Sequence, residues 1–104
     1  MITVNTPNIP GKEIRETLGI ARGSTVRARH LGRDIFAGLK NLVGGEISEY
    51  TKLLADAREE ALSRMLQDAK KMGADAIVNV RFTTAQVMSG CSEILAYGTA
   101  VKIT

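Results

Sequence analysis

The sequence predicts a small α+β protein in two layers, an antiparallel sheet packed against one long helix with a short helix beside it. Three observations carry that expectation. One segment of more than 25 residues repeats its apolar positions at helical spacing, two β-branched runs follow it around a glycine-containing turn, and extended patterning precedes it. The chain has 104 residues. At that length folding hides roughly 65% of the unfolded chain's surface, enough for one modest core.

The elements follow in order. Ile2 to Asn5 reads as a short strand, punctuated by Pro7, Pro10 and Gly11 before a second extended segment. From Ile14, apolar and polar residues alternate through Ile20, and Thr25 to His30 resumes the extended pattern, with a bulge or bend expected near Gly23. Ile35, Phe36, Leu39, Leu42 and Val43 then recur at spacings of three and four, which predicts a short helix ended by Gly44-Gly45.

Glu46 to Met72 is predicted to be the long helix, since Tyr50, Leu53, Leu54, Ala57, Ala61, Met65, Ala69 and Met72 keep the helical period. Lys70 and Lys71 complement the negative end of its dipole, and Gly73 supplies the stop. Ala76 to Thr83 and Glu93 to Ile103 are the β-branched runs, and Met88-Ser89-Gly90-Cys91 suits the turn of a hairpin.

Composition excludes several function classes. Two Phe, two Tyr and no Trp leave few platforms for base stacking, and a net charge of +3 is spread along the chain without a basic block, so a nucleic-acid partner is not expected. The single Cys cannot form an internal disulfide and suits a reducing cytoplasm. No apolar run approaches the roughly 20 residues of a membrane span, and the N-terminus lacks signal-peptide character.

Chemistry is sparsely signposted. The stretch Asn41-Leu42-Val43-Gly44-Gly45-Glu46 lacks the lysine and spacing of a phosphate loop, and Glu46 puts a negative charge where an anion would bind. The two glycines are better suited to tight backbone passage at the helix start. Metal ligands are limited to His30, Cys91 and thioethers, without paired Cys or His spacing, so one chain cannot build the usual tetrahedral zinc site. Copies of Cys91 or His30 brought together in an oligomer could still hold a metal. No nucleophile and base are marked as a pair, and enzymatic activity is not expected.

A helix from Glu46 to Met72 would be about 40 Å long at 1.5 Å per residue, against a radius of gyration near 13 Å for a compact chain of this size. Leu62, Met65, Leu66 and Ala69 widen its apolar arc beyond one stripe, which suggests contact with another copy ahead of cover by the short helix from Ile35 to Val43, too small for the whole arc. Arg58 projects within that arc and needs a carboxylate, a carbonyl or a ligand, with an ion pair to an acid such as Glu46 or Glu93 expected first.

"GGEISEYTKLLADAREEALSRM", "GADAIVNVRF" and "EILAYGTAV" together resemble the YbjQ-like family of small bacterial proteins, labelled "putative heavy-metal-binding". The resemblance spans nearly the whole chain. It implies a dodecin-like subunit in a ring-shaped homopentamer, and it maps the family pattern onto Gly44, Gly45, Glu46, Tyr50, Arg58, Glu59, Gly73, Ala74, Glu93, Tyr97, Gly98 and Thr99. Two functions are carried forward ahead of a third, an enzyme, for which no residue pair is marked. One is an oligomeric module binding a divalent or heavy metal ion, or a small ligand, at subunit contacts through Gly44, Gly45, Glu46, Tyr50, Arg58 and Glu93, with Cys91 and His30 as metal ligands. The other is a structural or interaction protein in which those groups only satisfy one another.

Overall fold

A computed structural model describes the backbone of residues 1–28, 45–88 and 91–104. Among them, the side chains of 27, 28, 45–51, 53, 87, 88 and 91 fall outside the description. The elements in chain order are β1 (Ile2–Thr3), β2 (Ile14–Ala28), α1 (Gly45–Lys71), β3 (Ala76–Met88) and β4 (Cys91–Ile103). The predicted short helix from Ile35 to Val43 lies outside the described residues.

The strands form one sheet in the order β1-β3-β4-β2. β3 pairs antiparallel with β4, as the hairpin pattern predicted, and β2 pairs antiparallel with the other side of β4. The sheet is nevertheless mixed, because β1 runs parallel to β3, with Ile2 opposite Ala76 and Thr3 opposite Ile77. A hydrophobic pattern does not encode strand direction, and a strand this short adds to whichever edge its connection reaches.

Residues beyond β1 continue along that edge: Val4 N–H donates to Ile77 O at 3.0 Å and Asn79 N–H to Thr6 O at 3.0 Å. Asn79 has φ +54°, and the β3–β4 register shifts between Val78 and Arg81. This bulge changes the parity of β3, so Ile77 and Val80, three residues apart, both join the core on the helix side.

The bulge or bend expected near Gly23 moves. β2 breaks register between Ile14 and Glu16 and between Thr17 and Gly19, where Gly19 has φ +132°. The ladder is regular through Gly23. A glycine inside a strand pattern signals either a bulge or a close backbone approach, and here the second applies.

The close approach is made by α1. Its buried stripe is Ala57, Ala61, Met65 and Ala69, each fully buried and spaced by four. Small side chains on the helix meet Ala21 and Gly23 on β2 and Ala96 and Ala100 on β4, which lets helix and sheet backbones come together. At Gly23 a Cβ would clash with the backbone N of Met65 and come within 2.5 Å of Ala61 O. Buried Thr25 completes the seam by donating from its hydroxyl to Ala57 O at 3.3 Å.

α1 stops where the sequence predicted. Gly73 has φ +82°, its N–H donates to Lys70 O at 3.0 Å, and Ala74 N–H donates to Ala69 O at 3.1 Å. These two bonds satisfy carbonyls that the helix end would leave open. Asp75 then fixes the entrance to β3, its N–H bonded to Val101 O at 2.9 Å and its carboxylate accepting from Ile103 N–H at 3.1 Å.

The molecule measures 55 × 26 × 17 Å with a radius of gyration of 17.0 Å, well above that of a compact chain of this length. A long helix laid along a long hairpin makes it elongated rather than spherical. α1 packs on β2 and β4. The same face of β3 carries Phe82, which is 49% exposed.

Candidate functional site

Directly opposed residues in antiparallel strands point to the same side of a sheet. With Ala21, Gly23, Thr25, Ile94, Ala96 and Ala100 facing α1, the intervening residues face away from it. At one end this second face has a small core of its own, where Ala76, Val78 and Val101 are buried beneath Val4, Ile9 and Ile103. Past that cover the face is open among the described residues.

Three cross-strand rows make up the open part. Arg22, Tyr97 and Arg81 form the first, Ser24, Leu95 and Thr83 the second, and Val26, Glu93 and Ala85 the third. Ile20, opposite Thr99, borders them on the side of the small core. Ile20 is 66% exposed, Val26 56% and Tyr97 37%. The small side chain of Ser24 between its longer neighbours leaves a depression of about 550 Å³ lined by Arg22, Gly23, Ser24, Arg64, Glu93 and Leu95.

Arg64 reaches this depression from α1, around the outer edge of β2. Its Nη1 donates to Ser24 O at 2.5 Å and its Nη2 to Glu60 Oε1 at 2.6 Å. One turn later Asp68 Oδ2 accepts from Arg22 N–H at 2.9 Å. Among the described residues β2 is an edge strand, and Arg22 and Ser24 turn backbone groups outward with no described strand to receive them. Arg64 and Asp68 stand in for that strand at its centre, a common way of blunting an exposed edge. The Arg64–Glu60 pair is about half exposed, so its value lies in aiming the guanidinium rather than in stability.

A second concavity, about 700 Å³, lies between the flank of α1 and the β1 edge, lined by residues including Val4, Leu62, Val80, Arg81 and Phe82. Arg81 anchors its rim, with Nη1 donating to Asn5 O at 2.8 Å and to Val80 O at 3.0 Å.

The candidates from sequence distribute unevenly over this frame. Glu93 lines the depression on the open face. Arg58 is exposed on α1, on the other side of the sheet, and makes no ion pair among the described residues. Its expected pairing with Glu93 inside one subunit is therefore corrected: alternation along β4 points Glu93 away from the helix layer. Arg58 also lies beside the buried stripe rather than within it, because the contact with the sheet is narrowed to Ala57, Ala61, Met65 and Ala69.

Gly45, Glu46 and Tyr50 fall on the first turns of α1 and Cys91 begins β4. The side chains of Glu46, Tyr50 and Cys91, and the whole of His30 and Gly44, lie outside the described residues. Among the described residues no three of His, Cys, Asp and Glu gather closely enough to hold a metal ion.

Sequence reasoning missed Arg64, Asp68 and the exposed pair Ile20 and Val26. The signal for the first two was available in part. Once Gly23 is recognised as the contact point for the alanine stripe, charged residues flanking that stripe one turn apart must meet the edge of β2. The exposure of Ile20 and Val26 depends on which sheet face the helix covers, and alternation alone does not choose.

Comparisons with known proteins follow the same outline. A family model for YbjQ-like proteins, described as "Putative heavy-metal-binding", matches residues 1–104. A UPF0145 protein of the archaeon Methanosarcina acetivorans is 64% identical over 103 residues, covering 99% of this chain and 97% of that one. A UPF0145 protein of the bacterium Photobacterium profundum is 59% identical over 103 residues, covering 99% and 100%. The relatives thus include archaea, which widens the bacterial origin inferred from the resemblance. A crystal structure of a DUF74-family protein of unknown function from Pediococcus pentosaceus superposes with a TM-score of 0.64 at 16% identity, covering 100% of this chain and 98% of that one. At that identity the likeness speaks for the fold alone. None of the described helices is long and apolar enough to cross a membrane.

Proposed function

The chain belongs to the YbjQ-like, UPF0145 family, and on that premise we propose that it is a homo-oligomeric binding module, not an enzyme, that holds a metal ion or small ligand at contacts between its own copies. The observation that carries this reading is the half-finished second layer of the sheet. One face is covered by α1 and part of the other by the N-terminal segment, while Ile20, Val26 and Tyr97 stay exposed on the remainder. Apolar groups on one contiguous sheet face are ordinarily covered by another layer, and a second copy supplies it most economically. The assembly is a closed ring, five-membered as the family resemblance implies, formed in the reducing cytoplasm from dodecin-like subunits.

The metal is assigned to contacts between copies; among the described residues of a single chain no three-ligand cluster forms. Glu93 supplies a carboxylate on the open face, and Glu46, Tyr50, Cys91 and His30 are the further donors that neighbouring subunits bring. Gly44 and Gly45 allow close passage at the helix start, and Arg58 balances the carboxylates. Native mass spectrometry of untagged protein, with and without added zinc or cadmium, tests the reading. The expected result is an oligomer that gains metal mass. A metal held at about 100 times its dissociation constant adds about 2.7 kcal/mol of stability, visible as a raised melting temperature. A monomer refutes the assembly. An oligomer with neither metal mass nor thermal shift refutes the metal and leaves the alternative, an interaction protein without a ligand.

A further inference from the structure

The open sheet face has a match elsewhere on the same molecule. Leu62 and Leu66, one turn apart on α1, are only partly buried, although both touch the core. Arg58 lies one turn before Leu62 on the same flank, and Glu59 lies three and seven residues before the two leucines. This flank thus presents a leucine pair bordered by one cation and one anion. The sheet face presents Leu95 between Arg22 in one row and Glu93 two rows on, with Ile20 beyond Arg22, Val26 beside Glu93, and the depression over Ser24 lined also by Arg64. Arg58, Glu59, Arg22 and Glu93 make no ion pairs among the described residues.

We infer that the flank of α1 carrying Arg58, Glu59, Leu62 and Leu66 docks on the open sheet face of a second copy, with Arg58 paired to Glu93 of that copy and Glu59 to its Arg22. The inference rests on the oligomeric reading above and says where the copies meet. Two different surfaces take part, so the contact is head-to-tail, which closes into a ring if the rotation allows. A leucine of the flank fills the depression over Ser24. The charges at its ends set the register, because the reverse docking would place Arg58 against Arg22 and Glu59 against Glu93. The pairing also gives Arg58 the Glu93 partner that the fold denies it within one subunit.

Charge reversal on the full-length protein tests the contact, read by light scattering after gel filtration at several fixed concentrations. Arg58→Glu and Glu93→Arg should each weaken assembly at least about tenfold, since like charges then face each other. The double variant should regain most of that loss. Singles that assemble as tightly as the parent protein, or a double that recovers nothing, overturn the docking while the oligomeric reading stands. A monomeric parent protein overturns both. Should a reversed variant fail to fold, judged by circular dichroism, the pair Arg22→Cys and Glu59→Cys in a Cys91→Ser background gives a second readout. The two positions lie on opposite sides of the sheet in one subunit, so oxidation should yield a ladder of linked copies. Unlinked monomers under oxidation of an assembled protein refute the contact.

Discussion

Replacing Gly23 by alanine adds one methyl group at the place where helix and sheet come closest. The new Cβ would lie 2.5 Å from Ala61 O and 2.6 Å from Arg64 Cβ, and it would overlap the backbone N of Met65. Two of these three atoms belong to the helix backbone, which cannot turn aside as a side chain can, so α1 must lift as a body. Overpacking of this kind costs about 1–3 kcal/mol, and backbone opposition places Gly23→Ala near the upper end. An alanine stiffens the unfolded chain, which returns about 0.4–1 kcal/mol. The net expectation is a loss of about 2 kcal/mol. For a chain of this length that corresponds to a melting temperature lower by about 10 °C. Urea unfolding followed by circular dichroism, at matched protein concentration so that assembly is held constant, measures it. Lifting the helix also draws Asp68 from Arg22 N–H and Arg64 from Ser24 O, so the Arg22 amide should exchange with solvent faster. A Gly23→Ala protein as stable as the parent would refute the close approach of helix and sheet.

Two further substitutions probe the same contact. Met65→Ala empties the largest fully buried side chain of the helix stripe and should cost about 2–5 kcal/mol in urea unfolding, depending on how far the alanine-lined seam can collapse. Asp68→Ala removes the acceptor for Arg22 N–H. It should cost about 0.5–1.5 kcal/mol and raise the hydrogen-exchange rate of that amide, with no change at the amide of Thr25, which lies opposite Ile94 in the β2–β4 ladder.

Sequence pattern located most elements because their signals are local. Period and capping marked α1 to within a residue at each end, and Gly73 announced the left-handed turn that closes it. The strand runs after the helix were each longer than the β-branched stretch that revealed them, since pairing with a neighbour extends a strand beyond its strongest formers. Of the candidate site, Glu93 was legible as an acid to balance Arg58 and as a position of the family pattern. The groups around it were not, because Arg22, Arg64 and Leu95 belong to three different elements and meet only across the β2 edge.

By itself the sequence determined an α+β chain with one long helix, a following hairpin and a family resemblance. Tertiary structure decided the rest for a geometric reason: which face of a sheet is covered depends on where the helix settles. Gly23 and the alanine stripe bring α1 onto β2 and β4. That single placement buries Ala21 and Thr25, turns Ile20, Val26 and Glu93 to the opposite side, and separates Glu93 from Arg58. Alternation along a strand says that two faces exist, and only packing says which one remains open.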